Sequence, residues 1–226
     1  MDVEIRHSPG FAVARCTLRS GEEVQVESGA MAAMSQGVTL EAKMEGGFFK
    51  ALKRSTLGGD SFFITTYISD RDGGWVDIAA ALPGDATYID VTPDRPLAVT
   101  RGSWLGHEKT LNMDTKWGGR NNLFGGEGGF VSMLTGTGKA VVGSYGALDR
   151  YELQPGDSMT VDSGHLVAYD ANIAMTAKTA GGVMKSLKSG EGIVVEIEGP
   201  GLVWTQTRNP NALIDWLTTV LPFSRS

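Results

Sequence analysis

The histidines, which are the side chains best suited to acid–base or metal chemistry near neutral pH, are few and far apart in this sequence. Only His7, His107 and His165 occur among the 226 residues. No two of them have metal-ligand spacing, and there is no His-x-His pair of the kind that cupin-type oxygenases use for iron or manganese. His107 adjoins Glu108 and Lys109, which predicts a loop, and His165 is interpreted as a packing or surface residue. The sequence therefore predicts no metal site and no cofactor.

Motifs for phosphate binding and for nucleophilic catalysis are not matched either. Gly136-Thr-Gly138-Lys139 resembles the end of a phosphate-binding loop, but Met133 and Ala140 stand where that motif needs a glycine and a hydroxyl residue. No Gly-x-Ser-x-Gly elbow occurs. The single cysteine, Cys16, lies in an alternating apolar run and is predicted to be a small buried thiol rather than a nucleophile. The acidic residues are scattered without a distinguishable pair, so we predict that the chain is not an enzyme.

One basic, partly apolar segment stands out from this background. Its basic residues recur after corresponding glycine pairs in different parts of the chain, and they are Lys50, Lys53, Arg54, Arg120, Lys185 and Lys188. Beside Phe48, Phe49 and Leu52, such residues would suit an anionic membrane surface, where each basic residue contributes about 1 kcal/mol. In the alternative interpretation the apolar residues pack inward and the basic ones form a solvated face. Both interpretations remain open at this point.

These basic residues belong to an internal repeat. Residues 18–53 and 153–188 align without a gap at an offset of 135 positions, with 13 identities in 36 positions, where about two are expected from average residue usage. A third, more divergent copy lies between them, with Arg101-Gly-Ser-Trp-Leu105 in the place of Ser28-Gly-Ala-Met-Ala32. We therefore predict three β repeats, at about residues 18–90, 91–150 and 151–208, in a single β-rich domain over residues 1–226.

The repeats are predicted to consist of short strands, because apolar and polar residues alternate within them. Residues 24–27, 38–44, 61–67 and 75–78 are examples, and the Asp72-Gly-Gly74 turn predicts a hairpin between the last two. Such units cannot bury an apolar face alone, so we expect them to share a core with pseudo-threefold symmetry, which would also remove free sheet edges.

Only the end of the chain has a clear helical pattern. Asn209 is predicted to cap a helix over residues 210–221 that begins with Pro210 and is stopped by Pro222. Its apolar face consists of residues at helical spacing, Leu213, Trp216, Leu217 and Val220. This face is expected to pack on the β body or on another subunit.

Composition limits the compartment and the partners. The net charge of −6 argues against nucleic acid, whose binding requires that phosphates be neutralised. A single cysteine fits a reducing compartment. The first residues show no basic region followed by an apolar one, and apolar runs reach only about five residues, against about 20 for a membrane-spanning helix. We predict a cytoplasmic protein, with association at a membrane surface as the open alternative.

As a set, these motifs resemble the altered-inheritance-of-mitochondria protein family. The matching residues include Ser28-Gly-Ala-Met31, Gly46-Gly-Phe-Phe-Lys50, Arg101-Gly-Ser-Trp-Leu105 and Ser189-Gly-Glu-Gly192. The resemblance implies a fold like the tryptophan RNA-binding attenuation protein, in the class of double-stranded β-helices. For bacterial members it implies no established activity and no catalytic residues.

The function expected from the sequence is that of a non-enzymatic scaffold or interaction protein that self-associates as a homo-oligomer. The alternative is a binding module for a small ligand, with the site on the pseudo-threefold axis or at a subunit interface. An anionic membrane or a protein partner is compatible with the first function.

Overall fold

The computed structural model describes residues 1–41, 64–114, 131–179 and 193–222. Within these ranges the chain forms nineteen strands and one α-helix, α1 (Pro210–Val220), together with a short 3-10 helix at Ser163–His165. The mainly β class and the C-terminal helix predicted from the sequence are confirmed. The helix ends one residue earlier than predicted, with Leu221 as its cap.

The strands follow one another along the chain with short connections. The first seven are β1 (Asp2–Arg6), β2 (Val13–Leu18), β3 (Glu23–Glu27), β4 (Met31–Met34), β5 (Val38–Glu41), β6 (Ile64–Ser69) and β7 (Gly74–Ile78). The next six are β8 (Ala86–Val91), β9 (Leu97–Thr100), β10 (Trp104–Glu108), β11 (Leu111–Asp114), β12 (Val131–Gly136) and β13 (Gly138–Gly143). The last six are β14 (Leu148–Leu153), β15 (Ser158–Asp162), β16 (Leu166–Asp170), β17 (Ala174–Thr179), β18 (Ile193–Glu198) and β19 (Gly201–Gln206).

The strands pair antiparallel in four sheets. Their orders are β1-β2-β7-β4, β5-β6-β3-β10-β13-β8, β11-β12-β9-β16-β19-β14 and β15-β18-β17. Ladders β3·β10 and β9·β16 join strands of neighbouring predicted repeats into the two six-stranded sheets. The predicted units therefore share hydrogen-bonded sheets.

The same four pairings occur in three consecutive stretches of the chain. The first stretch pairs β2·β7, β4·β7, β3·β6 and β5·β6. The second pairs β8·β13, β10·β13, β9·β12 and β11·β12, and the third pairs β14·β19, β16·β19, β15·β18 and β17·β18. Strand β3 shifted by the 135-residue offset of the repeat coincides with β15. A threefold rotation relating the stretches, and the class of the tryptophan RNA-binding attenuation protein, stay predictions.

Each stretch also repeats one side-chain hydrogen bond. A side chain at or just after the end of β4, β10 or β16 accepts from the backbone N–H of the second residue of β7, β13 or β19. The three bonds are Trp75 N to Ser35 Oγ at 2.9 Å, Lys139 N to Glu108 Oε2 at 2.7 Å, and Leu202 N to Asp170 Oδ2 at 2.8 Å. A serine, a glutamate and an aspartate thus accept a hydrogen bond from the equivalent backbone N–H in each stretch. The bond recurs although the accepting residue differs.

One predicted connection is wrong. The Asp72-Gly-Gly74 turn was expected to join two hydrogen-bonded strands, but β6 and β7 lie in different sheets. Gly73 has a φ of +79°, which fits a tight reversal. A turn sequence specifies that the chain reverses, whereas the pairing of the flanking strands depends on which other strands are available in the sheet. Here β6 pairs with β3 and β7 with β2.

The core consists of apolar side chains packed between the sheets in three clusters. The first includes Val24, Val26 and Ile78, and the second is centred on Trp104 and Leu134. The third lies around β18 and β16. Strand β10 has buried residues on both of its faces, because it is central in its sheet and is covered from both sides.

Candidate functional site

The six basic residues predicted to face a membrane all lie outside the described residues. They are Lys50, Lys53, Arg54, Arg120, Lys185 and Lys188. Their role stays a prediction, and the structure neither gathers them nor separates them.

Helix α1 presents several exposed apolar side chains. No residue of the helix is buried, although the side chains of Leu213 and Leu217 are half-covered. The exposed fraction is 60 % for Trp216 and 53 % for Val220. Asp215 is the one charged residue between Pro210 and Val220. The predicted apolar face thus exists, but it does not bury itself against the β body, so it remains available to a partner.

The base of α1 is held firmly by the body. The side chain of Asn209 caps the helix by accepting a hydrogen bond from Asn211 N at 2.9 Å. Next to it, His165 Nδ1 lies 2.7 Å from the carbonyl oxygen of Gln206, and Gln206 Nε2 donates to Gly164 O at 2.9 Å. His165 is therefore a structural residue at the point where the helix leaves the body, as the sequence predicted for it in general terms.

His107 is not in a loop, contrary to the prediction from its polar neighbours. It lies on β10, is fully buried, and packs with its ring centroid 5.4 Å from that of Trp104. Neither ring nitrogen has a hydrogen-bond partner among the described residues. Burial, with a smaller contribution from the charge of Lys109, lowers the pKa of His107 to about 4. The neutral imidazole is a core residue, because a charged one would be costly to bury.

Cys16 is also a core residue, as predicted. Its thiol is fully buried, and desolvation raises its pKa to about 12. A nucleophilic cysteine needs the thiolate at neutral pH, and this environment disfavours the thiolate. Among the described residues, no group of three or more His, Cys, Asp and Glu side chains is placed to hold a metal ion.

A cluster of charged residues that the sequence did not single out lies on the sheet of β1, β2 and β7. Asp77 accepts from Arg15 Nε at 2.8 Å and from Arg6 Nη2 at 2.7 Å. The Arg15 guanidinium lies 3.8 Å from the centre of the Trp75 ring. The hydrogen bond from Arg15, followed by the charges of both arginines, lowers the pKa of Asp77. The carboxylate is thus locked in an ionised, fully paired state, which is an arrangement for stability rather than for proton transfer.

An apolar groove of about 220 Å³ lies between the β1–β2 connection and the segment after β7. Residues 11–13 and 79–84 line it, and all of them are apolar. Phe11 at its rim has 74 % of its surface exposed. With no ionisable side chain in its lining, the groove can hold an apolar group but offers nothing for acid–base chemistry.

With this geometry established, the chain can be compared with known proteins. Residues 3–208 match the family model described as mitochondrial biogenesis AIM24. The chain belongs to the AIM24 family. The resemblance found in the repeat motifs is thereby confirmed, and the match covers all three stretches of recurring ladders but stops before α1.

Relatives of this AIM24 chain come from Streptococcus pyogenes. The uncharacterized protein M6_Spy0233 of serotype M6 is 30 % identical over 235 residues, which cover 99 % of this chain and 92 % of the relative. The crystal structure of protein SPYM3_0169 superimposes with a TM-score of 0.80 at 25 % identity, over 97 % of this chain and 99 % of that one. The similarity includes the fold along nearly the whole chain, and neither description gives an activity.

Among the described residues, no helix is long and apolar enough to cross a membrane.

Proposed function

We propose that this AIM24 chain is a non-enzymatic scaffold or interaction protein that self-associates in the cytoplasm. The single observation that carries the proposal is helix α1, whose apolar face is exposed although its base is anchored to a rigid body. An exposed amphipathic helix of this kind is a common docking element for a groove or for another helix. The fixed base matters, because a pre-oriented helix loses less freedom on binding than a loose one.

The three recurring sets of ladders support a body with pseudo-threefold symmetry of the double-stranded β-helix class. Each set contributes equivalent strands to a shared core, and two of the three junctions between sets are hydrogen-bonded ladders. Such a body is a stiff platform, since most of its strands are bonded on both sides. The pKa shifts of Cys16 and His107 are accounted for by burial and that of Asp77 by ion pairing, which favours a scaffold over an enzyme.

The first prediction concerns the face of α1. The double substitution Trp216→Ser and Val220→Ser should weaken self-association on the order of 30-fold, because a buried tryptophan anchor typically contributes 2 kcal/mol or more to an interface. The unfolding temperature should not change, since neither side chain is buried in the chain itself. Light scattering coupled to size exclusion measures the first effect and calorimetry the second.

The matched control is the double substitution Asn211→Ser and Thr218→Ser on the opposite face of α1, which should leave the mass unchanged. If the wild-type chain is a monomer at every accessible concentration, or if the control weakens association as much as the test variant does, α1 is not the docking element.

Binding to an anionic membrane is proposed for the basic residues, separately from α1, which carries no lysine or arginine. Flotation with vesicles of mixed phosphatidylcholine and phosphatidylserine tests it. We expect Lys53→Glu combined with Lys188→Glu to reduce vesicle binding, because two basic residues contribute about 2 kcal/mol near such a surface. Binding that these substitutions leave unchanged would contradict a membrane role for this segment.

The second candidate function is that of a small-ligand module, and the apolar groove lined by residues 11–13 and 79–84 favours it. Its lining fits a small apolar molecule or an acyl or aromatic group. The sequence had placed such a site on the pseudo-threefold axis or at a subunit interface. Native mass spectrometry of freshly purified protein distinguishes the two functions, because it reports the stoichiometry and any retained ligand together.

A further inference from the structure

Strands β2, β8 and β14 hold equivalent places in the three stretches, each pairing on one edge with β7, β13 or β19. Their other edges differ. The second edge of β2 is covered by β1, which pairs with it over five residues. An uncovered edge presents a row of backbone donors and acceptors that can template another strand. Whether a further strand could pair with β8 or β14 therefore depends on what covers the outer edge of each.

The outer edge of β8 is closed by side chains of the chain itself. Ser144 N donates to Asp85 O at 2.9 Å, so Asp85 faces β13, and every second residue from Ala86 directs its backbone groups outward. Ala86 N donates to Asp85 Oδ1 at 2.8 Å, and Asp90 O accepts from Arg95 Nη2 at 3.0 Å. These bonds occupy outward groups at both ends of the strand.

The outer edge of β14 has no such cover from the residues that the structure describes. Thr207 N donates to Ala147 O at 3.0 Å, so Ala147 and every second residue after it face β19. The outward backbone groups are those of Leu148, Arg150 and Glu152, and no described residue bonds to them. The four central side chains of β14 are also all exposed. At this edge of a six-stranded sheet, backbone groups without a bond to any described residue thus lie beside exposed side chains.

We propose that the outer edge of β14 pairs antiparallel with β14 of a second copy of this chain about a twofold axis. The inference rests on the self-association proposed above and adds a second contact surface to the face of α1. A twofold axis makes the same edge serve both copies, so the contact closes at a dimer instead of growing into a fibre. Arg208 N donates to Tyr145 O at 3.2 Å, so α1 begins close to the start of β14.

The charges on β14 select one register. With Tyr151 opposite Tyr151 of the second copy, Arg150 faces Glu152 across the strands, and the twofold axis creates this pair twice. Opposite charges directly across a ladder stabilise it, as do aromatic pairs. Arg150 and Glu152 already lie 3.1 Å apart within one chain, so their charged groups point to the same face. Asp149 and Leu153 would face each other, without a like-charge contact.

Neighbouring registers are disfavoured by the same charges. An axis on Arg150 sets the two arginines against each other, and an axis on Glu152 does the same with the two glutamates. Charges on an edge strand often prevent pairing altogether. Here the opposite charges of Arg150 and Glu152 destabilise the neighbouring registers and stabilise the register with Tyr151 on the axis.

A charge exchange tests the pairing. Arg150→Glu and Glu152→Arg, each alone, should weaken the dimer by about tenfold, since two attractive cross-strand pairs become repulsive. The double exchange should restore the wild-type mass in light scattering. Failure of the single variants to change the mass of a self-associating wild type would overturn the β14 interface while leaving self-association itself standing.

A cysteine placed on the axis tests the register independently of affinity. In the proposed register the Cα atoms at position 151 lie about 4.5 Å apart, within reach of a disulfide. Tyr151→Cys should therefore form a covalent dimer under mild oxidation. Tyr88→Cys on β8 is the matched control, because Tyr88 and Tyr151 are 41 % and 40 % exposed. Cys16 is buried and should not interfere. Equal cross-linking of both variants, or none at position 151, overturns the proposal.

Discussion

The free energy of unfolding is expected to fall by about 3 kcal/mol between pH 6.5 and pH 4 because of His107 alone. In the unfolded chain its pKa is near 6.5, and in the core it is lowered to about 4. Each unit of difference corresponds to about 1.4 kcal/mol. Between these two pKa values the His107 imidazole binds a proton in the unfolded chain but stays neutral in the folded chain. The free energy of unfolding therefore has its full value above pH 6.5 and decreases as the pH falls towards 4. Urea denaturation at a series of pH values measures this.

His107→Met should remove this decrease in the free energy of unfolding between pH 6.5 and pH 4. It also removes two buried ring nitrogens without partners, so stability at pH 7.5 should be unchanged or higher by about 1 kcal/mol. His165→Gln is the control, because His165 is half-buried and hydrogen-bonded at the base of α1, away from the core position of His107. A decrease that persists in the His107 variant would show that other groups cause it.

Asp77→Ala should lower the free energy of unfolding by about 2–3 kcal/mol at pH 7, because it removes charge-assisted bonds to two arginines that join β1, β2 and β7. Asp77 is 6 % exposed, so water cannot replace those bonds easily. Glu198→Ala, at an exposed position of β18, is the control and should change stability by less than about 0.5 kcal/mol. Chemical denaturation measures both.

The same ion pairs give a second, lower acid transition. The hydrogen bond from Arg15, and then the charges of Arg15 and Arg6, lower the pKa of Asp77 in the folded chain. Its stabilisation is present above the unfolded pKa of 3.8 and is lost as the pH falls through the lower folded value. Asp77→Ala should remove the decrease in the free energy of unfolding below pH 3.8. It should leave the decrease caused by His107, between pH 6.5 and pH 4, unchanged. An Asp77 variant as stable as the wild type would contradict the assigned role of the cluster.

The sequence predicted well where a local pattern has one structural solution. Asn209 followed by Pro210 and apolar residues at helical spacing could only begin a helix, and α1 starts there. The alternating run around Cys16 became β2, with Cys16 facing the core. The gap-free alignment of residues 18–53 with 153–188 anticipated that β3 and β15 occupy equivalent positions.

The sequence failed where neighbours distant along the chain decide the environment. His107, flanked by Gly106 and Glu108, resembles a loop residue, yet β3 and β13 on either side turn it into the centre of a sheet. The Asp77 cluster combines residues 62 and 71 positions apart, so no local spacing could reveal it. Its one signal was the alternation of charged residues in β1, at Asp2, Glu4 and Arg6, a pattern that solvent-facing strands share.

By itself, the sequence determined the strand-rich repeats, the terminal helix and the membership of the AIM24 family, because strand alternation, capping and repeat identity are properties of adjacent or regularly spaced residues. Only the tertiary structure decided which edges stay open. Strands β2, β8 and β14 hold equivalent places in the three stretches. The outer edge of β2 is bonded to β1, that of β8 to the side chains of Asp85 and Arg95, and that of β14 to no described residue. That difference depends on which residues the folded chain places beside each strand. The amino-acid sequence does not show which backbone groups remain without a hydrogen bond to described residues.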